Sequence, residues 1–251
     1  MKLEKILAWL DKTLDVAAFD DVSNNGLQVE PGAPPDVTTV AFAVDASVKA
    51  VEQAAKAGAQ LLVVHHGVSW GGGIKRVTGV VGKVVRTALA NRVALAAYHL
   101  PLDAHPVLGN NAQLAKLLGL KRVKPAFSYH GNVIGLVGNC RIRSLLDCLI
   151  SLGCDLKIKQ SQIKKSHNFL VGICSGGAGE FAEEAKRLGC DLYLTGEASW
   201  GDVIAAENCG MEMICAGHYE TEVFGVRALA QAMKKSLRVR TVDLTERLRR
   251  I

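Results

Sequence analysis

The sequence predicts an α/β protein made of two similar halves, each a mostly parallel or mixed sheet flanked by helices. Short continuous apolar runs read as strands buried on both faces. Ala-rich segments with three- and four-residue apolar spacing separate them, and the same rhythm starts again after residue 125. Leu3, Ile6, Leu7, Leu10 and Leu14 make one apolar face of an opening helix over 3–14. Strands over 40–44, 61–64 and 93–98 then alternate with helices over 47–57, 79–90 and 110–118. A turn-rich stretch over 125–131 leads to further strand runs at 133–137, 169–174, 192–195 and 211–216. The halves are expected as 1–124 and 125–251, with the C-terminal segment able to pack back on the first.

The 251 residues suffice for a continuous core. With 49% hydrophobic and 22% charged residues, composition excludes a disordered or fibrous chain. No apolar stretch approaches the roughly 18–20 residues of a membrane span. The opening Met1-Lys2-Leu3-Glu4-Lys5-Ile6-Leu7 lacks the pattern of a secretory signal, so a cytoplasmic address is expected. The seven cysteines lie between Cys140 and Cys215 with no C-x-x-C spacing, which reads as reduced thiols rather than a zinc ribbon. The net charge of +6 gathers in Lys157, Lys159, Lys164, Lys165 and the tail Arg247, Arg249, Arg250. With 5% aromatics, these read as a solvated face rather than a nucleic-acid patch.

The second half reads as a divergent copy of the first. Lys56-Ala57-Gly58-Ala59-Gln60-Leu61-Leu62-Val63-Val64-His65-His66 aligns with the segment 131 residues on that ends Leu192-Tyr193-Leu194-Thr195-Gly196-Glu197. In each, a Gly placed to cap a helix precedes a strand with polar residues at its end. A second match, 119 residues apart, pairs His99 and Asp103 with His218 and Glu222. The difference is a longer first-copy loop, containing Ser69-Trp70-Gly71-Gly72-Gly73, which reads as a mobile loop rather than a phosphate cradle.

His65, His66, His99 and His218 stand where apolar strands stop, the place where open α/β sheets bind ligands. Imidazole with carboxylate suits Zn, Mn, Fe, Co or Ni. Neighbouring strand residues point to opposite faces, so His65 and His66 can converge only at a strand end, where Gly67 supplies freedom; they can also serve two different ions. Pro101 turns 99–103 into an extended loop, whereas His218 precedes a helix with Glu222 near its first turn. Asp103 and Glu222 read as ligands, with a helix-capping role open to each. His105 and Glu197 read as supporting or catalytic groups, and His167 and His130 as core histidines.

Asn24-Asn25-Gly26-Leu27-Gln28-Val29, Val64-His65-His66-Gly67, Tyr98-His99-Leu100-Pro101-Leu102-Asp103-Ala104-His105-Pro106 with Gly109-Asn110-Asn111, Leu194-Thr195-Gly196-Glu197 and Ala216-Gly217-His218-Tyr219-Glu220-Thr221-Glu222 resemble the motifs of the Nif-three-like family, whose members carry the label GTP cyclohydrolase I type 2 homologue. The length resembles the short bacterial form. The resemblance implies two similar α/β halves with a dinuclear metal site between them, in a ring-shaped hexamer. It places the metal ligands on His65, His66, Asp103, His218 and Glu222, the set already reached from strand ends. Ser23-Asn24-Asn25-Gly26 stands where many members have a Trp- or Asp-containing version.

The expected function is that of a metal-dependent hydrolase with two divalent ions per chain. For a GTP cyclohydrolase, hydroxide would attack C8 of the guanine with loss of formate. His99, Glu197 or His105 would carry the proton, and Lys75 and Arg76 would meet the triphosphate. Phosphoester hydrolysis would use the same metals. The competing classes are a metal carrier, insertion factor or regulatory binding protein, and last a DNA-associated ring, which rests on charge and borrowed ring geometry.

Overall fold

The computed structural model describes residues 1–32, 36–141 and 169–248. His167, the lysines at 157, 159, 164 and 165, Arg249 and Arg250 lie outside them. The chain forms two compact units, Met1–Leu102 with Gly225–Ile251, and Asp103–Phe224. These dividing points differ from the midpoint at 124/125 for a packing reason. The helix over 110–117 buries Leu114, Ala115 and Leu118 in one cluster with Phe169, Val171, Ile173, Leu192 and Leu194, so it goes with the second unit.

In the first unit, helix α1 (Leu3–Leu14) buries Leu3, Ile6, Leu10 and Leu14. Strands β1 (Gly26–Val29), β2 (Thr39–Asp45), β3 (Leu61–His66), β4 (Ala94–Ala97) and β10 (Arg240–Asp243) form one sheet in the order β1-β4-β3-β2-β10. Strands β10, β2, β3 and β4 are parallel, and β1 is antiparallel to β4 at one edge. Residues 61–64 of β3 and 94–97 of β4 are wholly buried, as their unbroken apolar runs require. Helix α2 (Val48–Lys56) starts at Ser47, whose hydroxyl accepts from the Ala50 amide, and ends near Gly58 at φ 73°. Helix α3 (Gly79–Ala90) connects β3 to β4. Residues 240–243 thus return the end of the chain to the first sheet.

Helix α4 (Leu100–Ala104) occupies the segment expected as an extended loop. His99 stands just before it and its carbonyl accepts from the Leu102 amide, so Pro101 falls in the first turn. There the missing N–H of proline has no intrahelical partner to lose.

The second unit holds α5 (Asn110–Leu117) and strands β5 (Lys121–Tyr129), β6 (Asn132–Cys140), β7 (Phe169–Gly177), β8 (Leu192–Glu197) and β9 (Met213–Cys215), in the order β5-β6-β7-β8-β9. β7, β8 and β9 are parallel; β5 and β6 add antiparallel strands beyond β7. The stretch expected as turn over 125–131 is largely β5. Pro125 is tolerated because β5 is an edge strand. Only His130 and Gly131 turn, at φ 48° and 79°. His130 is therefore exposed at a hairpin tip, which corrects its reading as a core histidine.

Helix α6 (Ala182–Arg187) connects β7 to β8. Helix α7 (Trp200–Cys209) connects β8 to β9, opening on a reciprocal Ser199–Asp202 cap and closing at Gly210 in the left-handed region. Helix α8 (His218–Ser236) follows β9, beginning at His218 itself rather than after it. A short helix, α9 (Thr245–Leu248), ends the described chain. Each unit thus repeats β–α–β–α–β followed by a helix, β2 to α4 in the first and β7 to α8 in the second. Among the described residues no helix is long and apolar enough to cross a membrane.

Candidate metal centre

In the first unit, β3 ends in His65, wholly buried, and His66, half buried. Their ring centroids are 4.6 Å apart, and that of His99, just past β4, is 5.1 Å from His65 and 5.7 Å from His66. One nitrogen from each of the three rings lies within 4.8 Å of the others. Each Nδ1 is directed to an oxygen: His65 to the Tyr98 carbonyl at 2.9 Å, His66 to Asp45 at 2.9 Å, His99 to Asp21 at 2.9 Å. Since the acceptors are oxygens, Nδ1 carries the proton and Nε2 is the nitrogen presented for coordination, the arrangement by which outer groups orient metal-binding histidines.

Asp21 organises this end of the unit. Its Oδ1 accepts from the Ser23 amide as well as His99, and its Oδ2 from Asn25 Nδ2 and the Leu100 amide. Asn25 Oδ1 in turn accepts from the His99 amide at 2.8 Å. Burial works to raise the Asp21 pKa, but the His99 hydrogen bond and charge, with the Ser23 and Asn25 bonds, leave it below the usual carboxylate value. Gly67 serves space rather than backbone freedom: a Cβ there would collide with Gln28 Oε1 and with the Ala97 Cβ at 2.6 Å.

In the second unit, Asp103 near the end of α4 is buried, and its Oδ1 accepts from Asn110 Nδ2 at 2.8 Å and Ser175 Oγ at 3.0 Å. Asp103 and Glu222 each offer an oxygen within 4.8 Å of the other. His218 lies between two carboxylates: Nε2 is 3.2 Å from Glu222 Oε1 and Nδ1 is 3.0 Å from Glu197 Oε1. The Glu222 hydrogen bond leads in raising the His218 pKa to about 9, against burial and with help from Glu197. Two glycines make room for this group. A Cβ on Gly176 would run into Glu222 Oε1, and one on Gly196 would sit 2.6 Å from the Gly176 carbonyl and 2.8 Å from the His218 Cα.

His105 belongs to none of the candidate metal groups among the described residues. Its Nδ1 accepts from the Val107 and Leu108 amides at 3.1 and 2.9 Å, which fixes the opposite tautomer and places Nε2 as a donor. Cys140, Cys174, Cys190, Cys209 and Cys215 are free thiols, and no cysteine belongs to a candidate metal group among the described residues. Sequence reasoning named every ring of the first cluster but missed Asp21, Asp45 and Ser175. Asp45 had a usable signal, since it ends β2 as His66 ends β3 and the two are register partners.

A family model described as Duf34/NIF3 (NGG1p interacting factor 3) matches residues 1–247. The chain belongs to the DUF34/NIF3 family. It is 40% identical over 248 residues to the GTP cyclohydrolase 1 type 2 homolog of Pyrococcus horikoshii, with 96% of this chain and 97% of the relative covered. Among solved structures, protein ybgI, a structural genomics target of unknown function, is similar with a TM-score of 0.85 at 32% identity, covering 98% of each chain. TTHA1606 from Thermus thermophilus is similar with a TM-score of 0.81 at 31% identity, covering 97% of this chain and 98% of that one.

Proposed function

We propose that this DUF34/NIF3 protein is a metal-dependent hydrolase acting on a nucleotide, with His65, His66, Asp103, His218 and Glu222 holding two divalent ions. The observation that supports the reading most is the shared anchoring of three histidines, His65, His66 and His99, through Nδ1. Each of these three has Nδ1 on an oxygen and so presents Nε2, whereas His218 stands between carboxylates on both nitrogens and would give up a proton on coordinating an ion. His105, which belongs to neither cluster, has the reverse arrangement. Imidazoles and carboxylates together fit Zn, Mn, Fe, Co or Ni rather than Ca or Mg. When bound, such ions would supply Lewis acidity and lower the pKa of water towards neutrality.

The remaining chemistry falls to the chain. His99, held through Nδ1 by a buried carboxylate, is the group set to take and return a proton. Glu197, 63% exposed in its side chain, fixes His218 and offers a second proton path. His105 enters only through its Nε2 proton. Lys75 and Arg76, both exposed on the loop after β3, would meet phosphate. The name borne by the relatives supports guanine-ring opening with formate release as the reaction. The same reading carries the ring-shaped hexamer implied by the family, which sedimentation of the purified protein tests.

The decisive experiment is a formate assay on zinc-, manganese- or iron-loaded protein given GTP, alongside His99→Ala. Formate released by the loaded protein and reduced by at least about a hundredfold in the variant supports the reading. Metal bound without formate or phosphate release from GTP contradicts it in favour of a carrier.

A further inference from the structure

The loop between β3 and α3 carries one aromatic side chain, Trp70, and holds it in an unusual way. Trp70 is 38% exposed, yet its ring lies 5.2 Å from His99, edge to face, and 6.1 Å from His66. An isolated exposed tryptophan needs no explanation; a fixed one does. The root of this loop is tied to the segment before β1 and to β1 itself. Gln28 Oε1 accepts from the Val68 and Ser69 amides, Trp70 bridges to Ser23, and the Gly71 amide donates to the Val22 carbonyl at 2.6 Å. The loop expected to be mobile is therefore anchored where Trp70 sits, and turns through Gly71 and Gly73 at positive φ only beyond it.

The indole N–H is spent on the Gly67 carbonyl at 3.1 Å. What Trp70 has left to offer is a π-surface beside the imidazoles. Such a surface recognises a planar ring rather than a hydrogen-bonding group. Lys75 and Arg76 follow within six residues, both exposed, so the loop carries an aromatic platform and then two cations.

We propose that Trp70 is the stacking platform for the planar heterocycle of the substrate, setting preference for a base-bearing anion over a bare polyphosphate. The inference rests on the nucleotide-hydrolase reading and names the part of the chain that selects the base. A purine ring stacked there lies against the histidine end of the first unit, with its phosphates led towards the cationic stretch.

The test compares zinc-loaded wild type, Trp70→Leu and Trp70→Phe by calorimetry with GTP and with inorganic tripolyphosphate, and measures zinc content in each. Trp70→Leu is expected to weaken GTP binding about tenfold, Trp70→Phe to retain most of it, and tripolyphosphate affinity and zinc content to stay within about twofold. Equal weakening of both ligands, loss of zinc, or unchanged GTP affinity overturns the assignment. Wild type that binds zinc but no GTP sinks the nucleotide reading itself. Wild type that binds GTP as tightly as Trp70→Leu sinks only the role of Trp70. A Trp9→Phe/Trp200→Phe protein, with Trp70 as sole tryptophan, adds a direct reading: GTP and guanosine quench its emission and tripolyphosphate does not.

Discussion

The two units use the same frame for different donors. In the first, β3 ends in His65 and His66; in the second, β8 ends in Gly196 and Glu197 at the matching positions. The last parallel strand of each frame leads to a histidine and, four residues on, a carboxylate: His99 and Asp103 around α4, His218 and Glu222 in α8. A histidine fills the position in one frame where glycine is obligatory in the other, because Gly196 admits the start of α8 against the backbone of β7. A repeated frame thus yields an imidazole-rich cluster once and a carboxylate-rich cluster once.

The largest effect should come from forcing the two frames to match. Gly196→Ala places a methyl group against backbone that cannot yield, and a loss of about 3 kcal/mol is expected in chemical unfolding. His65→Ala, at the equivalent position, should cost metal rather than fold. Equal loss of stability in both would break the comparison. Next come the outer carboxylates. Asp45→Asn in the first unit and Glu197→Gln in the second should each weaken metal binding by about 10–100-fold with ligands unchanged, read by competition with a chelating dye.

The units also differ in their response to pH. His218 has a raised pKa, so in metal-free protein its contribution is whole below the ordinary 6.5 and is lost as pH rises through about 9. The melting temperature of metal-free protein should therefore fall over that window, and His218→Gln should flatten the slope. Metal affinity should rise over the same window, because an ion must displace the proton. Asp21 has a lowered pKa, so its contribution is present above the ordinary 3.8 and lost as pH falls through the depressed value. Asp21→Asn should blunt the acid limb and leave the alkaline one untouched. The smallest effect expected is that of Ser175→Ala, which removes one donor to Asp103 and should cost about 1 kcal/mol.

Much of this was legible in the sequence because it depends on periodicity and position along a strand. The strand runs, the Gly58 and Gly189 helix ends and the histidines at strand ends are local signals, and the frame repeats them. What escaped depends on contacts distant in sequence. Asp21 reaches His99 across 78 residues and Ser175 reaches Asp103 across 72, and no spacing rule announces either. The helical α4 is different: the repeat itself implied it, since α8 follows the matching strand, and a local rule about proline outweighed that comparison.

The proposal of two divalent ions per chain depends on metal content. Elemental analysis of protein purified without chelator, repeated for His66→Ala and Glu222→Ala, tests it most directly. Close to two divalent ions per chain are expected in the wild type and fewer in each variant, with the fold intact by circular dichroism. Wild-type protein that takes up no divalent ion when offered zinc, manganese or iron would contradict it.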